Sequence, residues 1–210
     1  MALAFGLCSQ IMSVTPALLC ALGLRLLLTG ALHEDGLADF FDGMGGGRDR
    51  KQTLAIMKDS HIGTFGVLGL IFYFFFTCNI LSSIAENATR LTCVLLLTGD
   101  VWSKCCSALL VMQLPYVRKE EEAKARIIYA PMQWGWQALR TLTAMVPAAI
   151  LWFWQNWIPH PLALAAPLLT ELLLMLWMRR RLGGYTGDCC GATFLLCEAS
   201  FYMVTALLCH

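Results

Sequence analysis

The apolar residues of this chain come in long blocks. Six stretches, 3–30, 64–85, 91–114, 139–157, 162–178 and 192–209, approach the roughly 20 mainly apolar residues that a membrane-spanning helix requires. Together they occupy well over half of the sequence. The pattern predicts an all-α fold, a polytopic transmembrane helical bundle of about six spans. A soluble domain of this size could not hide so much apolar surface, because roughly 40% of a polypeptide's surface stays exposed even when folded. Pro16 and Arg25 interrupt the first stretch. It has neither the basic start nor the small-residue cleavage site of a signal peptide, so it is read as a span.

Composition agrees. The 210 residues are 58% hydrophobic and 14% charged, with a mean hydropathy of +0.64. Soluble domains carry about a quarter charged residues. The net charge of +1 gives no signal for nucleic acid. The ten cysteines include two adjacent pairs and no C-x-x-C. Most lie inside apolar stretches and read as small packing residues, not as a disulfide framework or zinc site.

Charge placement adds orientation. Eleven of the fifteen Lys and Arg residues fall in three alternate loops, 31–63, 115–138 and 179–191. By the positive-inside rule these loops face the cytoplasm, so both termini lie outside. Asp35, Asp39, Asp42, Asp49 and Asp59 share the first of these loops, and Asp188 lies in the third. Trp152, Trp154 and Trp157 fall where an outer aromatic belt belongs. The chain reads as one integral membrane domain, 1–210.

The chemistry concentrates in His33-Glu34-Asp35-Gly36-Leu37-Ala38-Asp39-Phe40-Phe41-Asp42-Gly43. On a helix, each residue turns by about 100°, so Asp35, Asp39 and Asp42 fall within an arc of roughly 60°. Like charges four residues apart repel, and a divalent cation would relieve them. Magnesium suits the pattern, being bound through one or two carboxylates, water and substrate phosphate. The bland alternative is a solvated acidic face. Glycines follow at once, and the backbone of Gly45 and Gly46 could approach a phosphate that Arg48 then pairs. A flexible interhelical turn explains the same glycines equally well. Asp59 is either a cap for the next helix, as Ser60 could be, or a fourth carboxylate beside the metal. Within the spans, Asp100 and Lys104 are spaced to pair. Glu171 and Glu198 have no local partner, and are either helix-to-helix hydrogen-bonding groups or functional groups.

Three blocks together carry a resemblance: T-G-A-L-H-E-D-G-L-A-D-F-F-D-G at 29–43, I-M-K-D-S-H-I-G-T-F-G at 56–66 and G-Y-T-G-D-C-C-G-A-T at 184–193. With L-P-Y-V-R-K-E at 114–120, they resemble the cobalamin synthase family of adenosylcobinamide-GDP ribazoletransferases, in order, over roughly residues 25 to 205. The resemblance implies a magnesium-dependent, multi-pass enzyme of the bacterial inner membrane with its site facing the cytoplasm. Its substrates would be adenosylcobinamide-GDP and α-ribazole or its 5′-phosphate, and GMP would leave. It places function on His33, Asp35, Asp39, Asp42, Asp59 and Asp188. Members usually carry more chain before the first motif, so part of the family's N-terminal region is expected to be missing. Lys104 stands where the family has Arg, which keeps the charge but loses bidentate phosphate geometry.

The chemistry expected of such a site is attack by a ribose hydroxyl on a diphosphate, with Mg²⁺ neutralising the leaving GMP. The assignments are Asp35 and Asp39 as metal ligands, Asp42 as ligand or general base, His33 as the other candidate base, and Asp188 as a further metal residue closing the site around the ion. Asp59 is the further catalytic candidate, and Lys104 joins Gly45, Gly46 and Arg48 toward phosphate. Arg179, Arg180 and Arg181 either attract phosphate or anchor the membrane face. A cation or metal transporter using Glu171 and Glu198 is the competing class, and a non-catalytic scaffold a third. A homo-oligomer is compatible with the sequence.

Overall fold

The computed structural model describes residues 1–118, 133–154 and 158–209. Its elements are α1 (Ala2–Cys8), α2 (Val14–Thr29), α3 (Leu32–Gly46), α4 (Arg50–Ile56), α5 (Thr64–Gln113), α6 (Trp134–Trp154), α7 (Pro161–Leu182) and α8 (Gly187–Cys209). Lys119, Lys124, Arg126 and Trp157, used above for orientation, lie outside the described residues.

The first apolar stretch is two helices, not one. Pro16 sits in the first turn of α2, where a missing N–H costs nothing, but its ring would clash with a helical carbonyl at Met12. The helix therefore breaks between Cys8 and Val14. A second break follows. Gly30 closes α2 at φ 61° and Ala31 opens α3 at φ 55°. Two consecutive left-handed residues turn the chain by 89° between α2 and α3.

α5 doubles back on itself. Its backbone departs from helix at Ala88 (φ −152°, ψ 64°). The Tyr73 hydroxyl on its first arm donates to Glu198 at 2.9 Å. A Cβ at Gly99 on its second arm would lie 2.6 Å from the ring of Tyr202. Glu198 and Tyr202 are one turn apart on α8, whereas 26 residues of straight helix would span about 39 Å. The arms Thr64–Glu86 and Ala88–Gln113 are thus a helical hairpin packed on α8.

α8 is the central element, touching α3, α5 and α7. One apolar core, with Leu37, Phe40, Met178, Tyr185 and Phe194, surrounds the α3–α8 crossing. A second, with Phe5, Leu18, Leu81, Leu95 and Phe201, fills the other end of the bundle. Large apolar side chains such as Leu27, Phe72, Phe75 and Leu173 stay exposed on the outer faces, as lipid-facing residues do in a chain whose backbone groups are satisfied within helices.

Both α5 arms, α7 and α8 are long and apolar enough to cross a membrane, and the bent α2–α3 pair makes a fifth such unit. The sequence predicts six. α6 falls short because Gln137, Arg140, Thr141 and Thr143 occupy its first half. The all-α polytopic class stands. Among the described residues, the single β feature is a parallel bridge between Tyr116 and Tyr185. The nine cysteines from Cys8 to Cys197 are free.

Candidate active site

α3 carries the acid block, and glycine decides how it meets α8. A Cβ at Gly36 would lie 2.9 Å from the carbonyl oxygen of Asp188, and one at Gly191 would lie 3.1 Å from that of His33. Only the paired glycines let the two backbones approach so closely. On α3, Asp39 and Asp35 stand about 60° and 100° round from Gly36, both to the same side. Asp188, more than 150 residues away in sequence, is thereby brought against Gly36, the chain neighbour of Asp35. Asp35 is exposed, Asp39 half-buried and Asp188 buried.

A fourth residue joins them. Val117 N donates to Tyr185 O and Tyr185 N to Pro115 O, each at 3.0 Å. The rings of Tyr116 and Tyr185 meet edge to face at 5.4 Å. Gly184 has no room for a Cβ against Pro115 and Val117. This two-strand clasp sets Arg118 against α8, where its Nη2 lies 2.9 Å from Asp188 Oδ2. In the sequence Arg118 is one of the loop charges and part of the L-P-Y-V-R-K-E block at 114–120, but neither pattern gives it a role in the site, because its partner belongs to another block.

Asp42 has a different task from the one expected of a metal ligand or general base. It is buried, and its carboxylate accepts from Gly63 N at 2.7 Å and Gly66 N at 2.8 Å. Both oxygens thus satisfy N–H groups at the start of α5, which otherwise have no helical partner. The cap of α5 is therefore Asp42 from α3, and neither Asp59 nor Ser60. Asp59 is exposed and turns to its own neighbour. It accepts from His61 N at 3.0 Å and lies 2.7 Å from His61 Nδ1. These bonds hold its carboxyl below the usual range.

The proposed phosphate ligands separate into two places. Gly45 and Gly46 lie in the last turn of α3, where backbone N–H groups serve the helix. The Cα of Gly45 faces the Phe65 ring, and Gly43 and Gly47 admit Met57 and Thr53. These glycines serve packing. Exposed Arg48 takes Gln52 Oε1 on its backbone N–H, and Arg181 donates to the carbonyl of Gly47 at 2.6 Å. Lys104 lies at the opposite end of α3, beside His33, with about 20 Å of helix between the two groups. One phosphate cannot touch both.

His33 also parts from the acids. It stands about 200° round α3 from Asp35 and 240° from Asp39. Its ring packs edge-on against Phe194 at 4.7 Å. It lines a cavity of about 190 Å³ with Arg25, Asp100 and Lys104. Lys104 pairs with Asp100 at 2.8 Å, as the spacing predicts.

The intramembrane charges resolve unequally. Arg25 donates to Glu198 at 2.8 Å, Glu34 at 3.1 Å and Tyr73 at 2.8 Å, and Tyr202 donates to Glu198 at 2.9 Å. Glu198 is therefore a helix-to-helix hydrogen-bonding group. The signal for this network was an Arg in an apolar stretch and a Glu in another, and neither names its partner. Glu171 is buried on α7, and its Oε1 has no hydrogen-bond partner among the described residues.

The donor set bears on magnesium. Among the described residues no three His, Cys, Asp or Glu side chains gather in a metal-holding group. With Asp42 capping α5 and Asp188 on Arg118, the four-carboxylate cluster is not assembled. Asp35 and Asp39 remain as neighbours four residues apart on one helix face. A pair of this kind suits a magnesium ion bound through one or two carboxylates and completed by water and phosphate.

The sequence profile described as cobalamin-5-phosphate synthase matches residues 1–206. An adenosylcobinamide-GDP ribazoletransferase of Vibrio cholerae serotype O1 is 37% identical over 203 residues, covering 97% of this chain and 76% of its own length. The enzyme of the same name from Shewanella amazonensis is 34% identical over 208 residues, covering 99% and 78%. That from Rhizobium etli is 37% identical over 187 residues, covering 87% and 70%. No solved structure matches. Three of the four motif blocks, which α3, the 115–117 clasp and α8 bring together, and the profile match along nearly the whole chain, lead to one statement: this chain belongs to the cobalamin-5-phosphate synthase family.

Proposed function

We propose that this protein is a magnesium-dependent transferase. It moves the phosphocobinamide unit of adenosylcobinamide-GDP onto α-ribazole or α-ribazole 5′-phosphate. The observation that carries the reading is the Gly36–Asp188 approach, which draws the blocks at 29–43 and 184–193 into one face. The clasp at Tyr185 adds the block at 114–118.

The ion would be held by Asp35 and Asp39, with Asp188 alongside, and would supply positive charge to the diphosphate as GMP departs. The chain itself contributes orientation. Gly36 and Gly191 fix the distance between α3 and α8, Asp42 fixes the start of α5 against α3, and the clasp fixes Arg118. In the reaction a ribose hydroxyl of the acceptor forms a bond to the cobinamide-side phosphorus and gives up its proton to solvent. The bond to GMP breaks, and GMP carries away the electron pair. The site faces the cytoplasm of the bacterial inner membrane, following the charge bias of loops 31–63 and 179–191.

The test is GMP release from adenosylcobinamide-GDP by membranes holding the protein, with and without Mg²⁺. Release that depends on α-ribazole, stops with EDTA and falls sharply in Asp35→Asn at the same Mg²⁺ concentration is the expected result. Metal uptake into vesicles without GMP release would replace this reading by the transporter. That alternative is the weaker because Glu198 is fully engaged by Arg25, Tyr73 and Tyr202.

A further inference from the structure

Arg118 is 8% exposed, a guanidinium placed almost wholly inside the protein. Its Nη2 lies 2.9 Å from Asp188 Oδ2, yet among the described residues no acceptor takes a directed hydrogen bond from that nitrogen. A buried charged donor without an acceptor is costly, and the ion pair answers its charge without answering its N–H. The position is not accidental. The bridge from Pro115 and Val117 to Tyr185 fixes the backbone one residue before Arg118 and three before Asp188. The missing side chain of Gly184 permits that bridge. Asp188 in turn lies against Gly36, the chain neighbour of Asp35. Beside Asp188 the structure therefore sets a guanidinium whose Nη2 gives no directed hydrogen bond to an acceptor among the described residues.

We infer that Arg118 is the residue that receives the diphosphate of the nucleotide-activated substrate, with Asp188 as its positioning residue. The inference rests on the transferase reading above and adds to it which side chain holds the donor substrate. A guanidinium offers parallel N–H groups that match two phosphate oxygens. Nη2, which faces Asp188 without giving a directed hydrogen bond to any acceptor among the described residues, is left to donate to the ligand. In the transfer it makes and breaks no covalent bond. It binds the diphosphate before reaction and the GMP phosphate as the electron pair moves onto it. Asp188 and the two α3 carboxylates then have distinct tasks, one orienting a cation of the protein and two holding a metal ion.

The test uses the full chain in detergent or nanodiscs and four proteins: wild type, Arg118→Lys, Arg118→Ala and Asp188→Asn. KM is measured separately for adenosylcobinamide-GDP and for α-ribazole, and GDP binding by equilibrium dialysis. Arg118→Ala should raise KM for the GDP substrate tenfold or more and weaken GDP binding to match, with KM for α-ribazole unchanged. Arg118→Lys should fall between, because it keeps the charge and loses the fork. Asp188→Asn should show the same selectivity at smaller size, and added methylguanidinium should restore part of the Arg118→Ala loss. Equal KM changes for both substrates, or GDP binding unchanged in Arg118→Ala, would overturn the inference. If Arg118→Ala fails to fold, Arg118→Lys and Asp188→Asn carry the same comparison. Absence of GMP release from wild-type protein that still binds GDP would instead sink the transferase reading.

Discussion

Arg25 on α2 donates through Nη1 to Glu198 Oε2 on α8 at 2.8 Å, across 173 residues of sequence. Arg25 also reaches Glu34 in the first turn of α3, so one buried guanidinium ties together the helix before the 89° bend, the helix after it and the centre of the bundle. Arg25→Met would leave Glu34 and Glu198 uncompensated. Removing one partner of a buried charged group costs about 3–5 kcal/mol. A drop in Tm of the detergent-purified protein should show it. Arg25→Met combined with Glu34→Gln and Glu198→Gln should recover part of the loss, since no bare charge then remains.

Gly36→Ala should separate α3 from α8. The new methyl would meet the Asp188 carbonyl at 2.9 Å, and overpacking of this kind costs about 1–3 kcal/mol. GMP release should fall with stability, because the acid face moves relative to Asp188. Gly23→Ala is the control. Nothing lies within 4 Å of its Cβ position in α2, so it should be neutral, or stabilise by up to about 1 kcal/mol through helix propensity.

Asp42→Ala should destabilise the start of α5 by about 1–2 kcal/mol, the cost of losing a helix cap. Asp42→Asn keeps one acceptor oxygen and should cost less. In assays on folded protein, Asp42→Asn should retain more GMP-releasing activity than Asp35→Asn. Equal and complete loss in both would put Asp42 among the metal ligands and overturn its reading as a cap.

Magnesium titration separates the two sides of α3. Asp35→Asn and Asp39→Asn should raise the Mg²⁺ concentration needed for half-maximal GMP release at least tenfold. His33→Gln should leave that requirement unchanged, since His33 faces Phe194 on the other side of the helix. A shifted magnesium requirement in His33→Gln would mean that the helix rotates on binding substrate.

Much of this was legible along the chain. Blocks of apolar residues near the length of a bilayer fix the all-α membrane class, because no other arrangement satisfies the backbone in lipid. The i, i+4 spacing of Asp35 and Asp39 places them on one flank, and Asp100 and Lys104 pair as their spacing requires. Asp42 shows what spacing leaves out. Spacing shows that it shares a face with Asp35, but not that the start of α5 comes within 2.7 Å of its carboxylate. The glycines after it read as phosphate-binding or as a loose turn, and both readings missed the Phe65 ring and Met57 packed against them.

The sequence by itself determined the membrane class, the family and which short blocks carry the chemistry, since hydropathy and local spacing are properties of neighbours in the chain. Only the tertiary structure decided that α2 and α3 meet at a right angle, that Asp188 sits on Gly36 and that Arg118 sits on Asp188. The last two depend on contact between segments far apart in the chain. Such contacts follow from which surfaces can approach closely, here through absent side chains at Gly36, Gly184 and Gly191, and linear spacing carries no measure of that.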